Sequence, residues 1–297
     1  MTAVPTPFVI TVDTEEEWDW SSGYPTGPAR TDNIQRLPRF QDVCEQFGAA
    51  VTYFVNHAVL AIPESRRVIL HLANRPRVEI AMHIHPWNTP PLQPVERVPE
   101  RESFLHNLPP DLVRAKLDTV YSTFAECGLK PVSFRGGRYS SNPAIQEWLR
   151  DRGFVADSSV LPYSSWADDG APDYRSRDPR PVRVPGSPPL WEIPLSLGFT
   201  RRPFGFWRRA LAAAGSPAMR PFRLVGLLSR LGIVQRAWLN FENPLGERML
   251  SLAAALRRMG MPYLCFTLHS SSLYPGGSPY SPDAAAVERL FSNLART

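Results

Sequence analysis

Residues 7–15 read PFVITVDTE, an apolar, β-branched run that ends in acid. Phe8 to Val12 have the composition of a buried strand, with no breaker before the carboxylates. The acidic end decides between folds. An open doubly wound sheet is expected to follow its first strand with a glycine-rich turn that cradles phosphate. Here Asp13-Thr14-Glu15-Glu16-Glu17 would repel phosphate. Working outward, residues 49–55 (AAVTYFV), 78–86 (VEIAMHIHP), 131–137 (PVSFRGG), 154–160 (FVADSSV), 190–196 (LWEIPLS) and 262–270 (PYLCFTLHS) read as further strands. Helical periodicity fills 33–47, 64–74, 111–127, 142–152 and 245–259, and a last helix begins at Pro282. Pro38 predicts a kink or a late start in the first helix. Asn142-Pro143 reads as a cap followed by a first-turn proline. Strand–helix alternation implies an α/β chain with parallel pairing and helices outside, and seven or eight such units predict a barrel. With no internal repeat and no flexible linker, residues 1–297 read as one domain.

The composition, 43% apolar and 21% charged over 297 residues, excludes wholesale disorder and fibrous repeats. No apolar run reaches the roughly 18 residues of a membrane span. The N-terminal residues lack a basic segment followed by an apolar core, so the expected location is cytoplasmic. Cys44, Cys127 and Cys265 are odd in number and widely spaced, which suits reduced thiols rather than a disulfide framework. The net charge of +5 is local. Between Glu192 and Glu242 there is no acid, but there are eight arginines (201, 202, 208, 209, 220, 223, 230 and 236), so the rest of the chain carries about −3. Residues 198–240 therefore read as a basic helical insert, with arginines on one side of two helices and Phe, Trp and Leu on the other. Three uses compete for it: a packed subdomain, a lid over the barrel mouth, or a peripheral contact with the inner face of a membrane. No nucleic-acid-reading motif accompanies the charge.

Polar residues gather at the C-terminal ends of the expected strands: Asp13 and Glu15, His83 and His85, Arg135, Asp157 and His269. In a parallel barrel those ends share one face, where the strand–helix loops build active sites. Residues two apart on a strand point the same way, so His83 and His85 form one pair and Asp13 and Glu15 another. Two imidazoles and a carboxylate make a common ligand set for Zn²⁺ or a similar divalent ion with an open position. The second carboxylate is then free to act as a base, and Arg135 could ion-pair with it. Gly136 and Gly137 would let backbone N–H groups approach a ligand. His269 suits a general acid. Trp18, Trp20 and Trp87 offer aromatic faces of the kind that stack on sugar rings. No Gly-X-Ser-X-Gly elbow supports a serine nucleophile. His57, His71 and His106 are given no role.

Together these stretches resemble the polysaccharide deacetylases, the NodB-like homology domain of carbohydrate esterase family 4. TVDTEEEW (11–18) stands where that family has its first acidic motif, HIHPW (83–87) at its histidine motif and FRGGRYS (134–140) at its arginine motif. VADSSV (155–160) resembles the fourth region and LHSSSLYPGG (268–277) the histidine-bearing fifth. The resemblance covers most of the chain except the insert, and it marks a variant branch. Position 14 is Thr, which moves the expected carboxylate ligand to Glu15, and Trp87 stands where the family has its second His, which moves that ligand to His85.

The resemblance implies a distorted (β/α)7 barrel and a metal-dependent hydrolase that removes N-acetyl groups from an amino-sugar-containing glycan or its precursor. The ion would be zinc first, with manganese, cobalt or nickel as alternatives. Asp13 would be the base, though it and Glu15 could exchange roles. Arg135 would orient Asp13, and Asp157 would hold Arg135 or tune His269. The Tyr139 N–H would help bind the oxyanion, and His269 would protonate the leaving amine. Trp18, Trp87, Gly136 and Gly137 would line the substrate site. Two other readings stay open: an amidohydrolase of a small non-sugar amide or cyclic imide on the same scaffold, and a non-catalytic carbohydrate-binding homologue. The sequence leaves the oligomeric state open.

Overall fold

The computed structural model describes residues 6–216, 218–219, 223–242 and 246–295. Arg220 of the insert and Leu245, the expected start of a helix, lie outside them, as do the first five residues. In chain order the strands are β1 (Phe8–Thr14), β2 (Tyr24–Pro25), β3 (Ala50–Val55), β4 (Val78–Ile84), β5 (Arg97–Val98), β6 (Ser133–Gly136), β7 (Ala156–Asp157), β8 (Val182–Val184), β9 (Leu190–Glu192), β10 (Leu197–Phe199), β11 (Arg236–Trp238) and β12 (Leu264–His269). The helices are α1 (Leu37–Gln46), α2 (His57–Ala61), α3 (Pro63–Ala73), α4 (Pro110–Glu126), α5 (Pro143–Asp151), α6 (Phe204–Ala214), α7 (Leu224–Arg230), α8 (Glu247–Arg258) and α9 (Ala284–Leu294).

The main sheet runs β12-β1-β3-β4-β6-β7-β9-β8. Its first seven members pair in parallel and correspond to the seven strands expected from the sequence. The eighth, β8, is an antiparallel edge on β9 that the sequence reading did not anticipate. β7 is only two residues long, so the curled sheet is a distorted barrel. No regular ladder joins β9 to β12 among the described residues. Irregular segments carry the wall across that gap: Leu195 N–H donates to Val160 (3.0 Å), Leu239 N–H to Ser196 (3.0 Å), and Thr267 exchanges bonds with Leu239 and Phe241 (both 3.1 Å). The insert contributes to this closure. Its two helices, α6 and α7, lie between two strands that pair antiparallel, β10 and β11, in place of a purely helical segment.

Strand alternation explains which side chains meet. In β1, Ile10 and Val12 join the main apolar core, as do Val51, Tyr53 and Val55 of β3 and Met82 and Ile84 of β4. The intervening residues Thr11 and Asp13 turn the other way, toward Arg135 of β6. Local rules set several element ends. Pro38 gives α1 a late start, after a short 3-10 turn over Asp32–Arg36. Asn142 caps α5 by accepting from Ile145 N–H at 2.9 Å. Gly153 ends that region at φ +79°, a conformation that costs other residues a side-chain clash. No helix among the described residues is long and apolar enough to cross a membrane.

Candidate metal centre and active site

At the C-terminal ends of the strands lies a cleft of about 330 Å³ lined by Asp13, Glu15, His83, His85 and His269 among others. His83 ends β4 and His85 follows just beyond it. His83 Nδ1 is 2.8 Å from the carbonyl oxygen of Arg135, which can only accept, so Nδ1 carries the proton. His85 Nδ1 lies 3.0 Å from Glu16 Oε1 and likewise donates. Both Nε2 atoms therefore face the cleft, 3.1 Å apart. Glu15 Oε2 stands 3.2 Å from His85 Nε2 and 4.0 Å from His83 Nε2. The other oxygen of Glu15 is buried with no hydrogen-bond partner.

With neutral rings, the two Nε2 lone pairs and the Glu15 carboxylate all confront one another, and only a cation resolves such an arrangement. In the free protein a proton does so. Burial opposes the charge on His85, but Glu16 and Glu15 overcome it and push its pKa up to about 9. Burial and the neighbouring charge of His85 push His83 down to about 3. Burial raises the pKa of Glu15. The ligand atoms of Glu15, His83 and His85 lie within 4.8 Å of one another. Tetrahedral Zn²⁺ with bonds of about 2.0–2.1 Å spaces its ligands about 3.3 Å apart, close to the Nε2–Nε2 separation. The residues therefore fit a divalent ion.

Beside this group, Asp13 Oδ1 is paired with Arg135 Nη1. Arg135 is completely buried, bonds also to Thr11 Oγ1 and to Ser158 O and Oγ, and lies over the Phe54 ring at 4.1 Å. Burial pushes the pKa of Asp13 up, but Arg135 and the rings of His83 and His269 outweigh it, and the net shift is downward. The second oxygen, Oδ2, faces His269 Nε2 at 4.0 Å. His269 in turn is gripped by Glu242, which accepts from Nδ1 at 2.9 Å and from the His269 backbone N–H at 2.9 Å. Burial opposes the charge on His269, yet Glu242, Glu15 and Asp13 push its pKa up to about 10.

Asp157 is a correction. Its carboxylate accepts from Ser159 N–H (3.0 Å) and from the hydroxyls of Ser159 and Ser141, and it meets neither Arg135 nor His269. The side chain of Asp157 fastens a loop outside the cleft. The partnership expected of it belongs to Glu242 for His269, and to Asp13 and Ser158 for Arg135. Gly136 and Gly137 serve packing. A Cβ on Gly136 would stand 1.9 Å from Ser140 O, and one on Gly137 would stand 2.5 Å from the His85 ring and from Ile84 O. Gly136 also lines the cleft. Arg138 (φ 52°) and Tyr139 (φ 58°) follow in left-handed backbone, a cost that recurs at functional loops. That loop is held by Tyr174 OH donating to Tyr139 O at 2.8 Å and by the Arg138–Glu100 ion pair at 2.6 Å.

Trp18 and Trp20 lie at the cleft, with Trp20 edge-on to His269 at 5.0 Å. Trp87 is almost wholly buried, stacks on His85 at 4.1 Å and donates Nε1–H to Glu16. It backs the histidine more than it offers a free face. Sequence reasoning did not single out Glu16, Glu242, Trp166 and Trp238. Glu16 lies within the acidic run 15–17, where nothing local separates it from its neighbours. Trp166 and Trp238 sit in irregular or short segments, where Trp166 stacks on Tyr139 at 5.8 Å. His57, given no role, packs against Thr123.

No family model and no curated protein matches the chain. Among solved structures, a Mycobacterium smegmatis protein described as a "putative polysaccharide deacetylase" matches 99% of this chain and 86% of its own, at 18% identity and a TM-score of 0.52. A Bordetella bronchiseptica protein described as a "putative polysaccharide deacetylase involved in O-antigen biosynthesis" matches over 98% and 90%, at 12% identity and a TM-score of 0.47. The chain thus shares the α/β barrel fold of the Mycobacterium smegmatis protein.

Proposed function

We propose that the protein is a metal-dependent hydrolase that removes N-acetyl groups from an amino-sugar-containing glycan or its precursor. One observation carries this reading: a Glu15/His83/His85 acceptor group, a buried Asp13–Arg135 pair and a Glu242–His269 pair converge on one aromatic-walled cleft. The shared fold with the Mycobacterium smegmatis protein, and that protein's description, support it.

A divalent ion held by Glu15, His83 and His85 would supply Lewis-acid polarisation of the acetamido carbonyl and acidify a water. Glu16 and the Arg135 carbonyl fix the histidine tautomers so that both Nε2 lone pairs stay turned to the cleft. Arg135 occupies one oxygen of Asp13, which orients the other to take the water proton. The Tyr139 N–H serves as an oxyanion donor, an interaction worth roughly 3–4 kcal/mol in such sites. His269, kept protonated at neutral pH by Glu242, gives its proton to the departing amine. Trp18, Trp20, Trp166 and Trp238 provide faces for a sugar ring.

The test is an acetate-release screen on N-acetylglucosaminyl oligosaccharides, run beside a panel of small amides and cyclic imides. Release from the sugars that is lost on chelation and in His83→Ala supports the reading. Turnover confined to the small amides replaces it with the amidohydrolase reading.

A further inference from the structure

The cleft does not end at its tryptophans. Leu161 and Trp238 also border a second cavity of about 1010 Å³, and that cavity shares Gln235, Arg236 and Arg248 with a third of about 660 Å³. The three form one groove running from the histidines along the basic insert. β11 sets the spacing. Trp238 lines the catalytic cleft, and Arg236, two residues back on the same strand face, lies about 7 Å away along the strand.

Arg208 of α6, Arg236 and Arg248 of α8 converge on the third cavity. The ion pairs of the described residues leave these three without a carboxylate, whereas Arg175 on the same wall is paired with Asp173. Among the described residues, the Arg236 guanidinium donates to the neutral Ser164 hydroxyl and meets no carboxylate. Glu247 is the carboxylate described on the wall of the second cavity, and none is described on the wall of the third. Tyr163, Phe199, Leu211 and Val225 supply apolar wall beside the arginines. Guanidinium groups without counter-ions, next to an aromatic sugar site, are complementary to phosphate oxygens.

We propose that this groove binds a phosphate or diphosphate ester carried by the acetylated sugar, so that the substrate is a glycosyl phosphate with an apolar or aromatic body beyond the phosphate, and not a neutral polymer. This deepens the deacetylase reading and rests on it for the sugar, but the anion site is testable without turnover.

Pyrophosphate is the probe, titrated calorimetrically into the full-length protein at low and high salt. Binding that weakens with salt, and by about tenfold in each of Arg208→Gln, Arg236→Gln and Arg248→Gln, is the expected result. Arg209→Gln, an equal charge change on an exposed α6 arginine that lines no cavity of the groove, controls for net charge and should bind as the unaltered protein does. No binding at low salt, or equal losses in Arg209→Gln and Arg208→Gln, overturns the proposal. Two further arms separate the sources of the phosphate. Competition by uridine diphosphate marks a soluble nucleotide ester. Sedimentation with phosphatidylcholine vesicles only when they contain polyprenyl phosphate marks a lipid ester. If pyrophosphate binds as expected while no acetylated sugar is hydrolysed, the anion site stands and the deacetylase reading falls.

Discussion

Glu242 holds His269 twice, accepting from its ring Nδ1 and from its own backbone N–H, each at 2.9 Å. The double grip fixes the ring so that Nε2 looks at Asp13 across the cleft, 4.0 Å away. Against the opposing effect of burial, Glu242, with Glu15 and Asp13, also pushes the His269 pKa up to about 10, above the ordinary value of 6.5. A raised folded-state pKa gives stability that is complete below about 6.5 and is lost as pH rises through about 10.

Activity should follow the same sign. Glu242→Gln removes the charge that favours the imidazolium, so the alkaline limb of the kcat/KM profile should move down toward neutrality. At pH 8 the rate should fall by about tenfold or more, within the range of general acid–base effects. A limb left in place would show that His269 is not the acid.

Arg135 and Asp13 form a completely buried ion pair. Arg135→Met should destabilise the fold by about 3–5 kcal/mol, because it strands a carboxylate in the barrel interior. Asp13→Leu combined with Arg135→Met should recover most of that loss. Chemical denaturation of the two single variants and the double variant measures the coupling. Simple additivity would mean the pair is not coupled.

Glu16 hydrogen-bonds His85 at Nδ1, the ring nitrogen turned away from the proposed metal site. Glu16→Gln should therefore weaken divalent-ion affinity by about 10–100-fold while the protein still folds. Competition titration against a chromophoric chelator reads that number directly.

Gly137 has no room for a methyl group, since a Cβ would lie 2.5 Å from both the His85 ring and the Ile84 carbonyl. Gly137→Ala should displace His85 and lower both ion affinity and melting temperature. Gly205→Ala, where a Cβ meets nothing within 4 Å, should do neither.

The legible parts of this molecule were those in which a local rule acts alone. The seven parallel strands followed from apolar runs with polar ends. The convergence of Asp13, Glu15, His83, His85, Arg135 and His269 followed from strand parity once those ends share a face. What stayed hidden depends on long-range partners. Glu242 lies 27 residues from His269 and just past a short strand, so no spacing rule links them. Asp157 closes a strand as expected, but a two-residue strand imposes little orientation, and nearby serines capture its carboxylate. The glycines at 136 and 137 signalled a close approach, yet the approaching atoms are Ser140 and His85. The antiparallel pair β10–β11 was masked by the arginine content of the segment it brackets.

The central claim is that Glu15, His83 and His85 jointly hold one divalent ion that the hydrolysis needs. Metal analysis of the purified protein, paired with acetate release before and after chelation, tests it most directly. The account predicts one tightly held ion per chain, loss of acetate release on its removal, recovery on adding back zinc or a related ion, and no ion retained by His83→Ala combined with His85→Ala. Full acetate release from metal-free protein would contradict it.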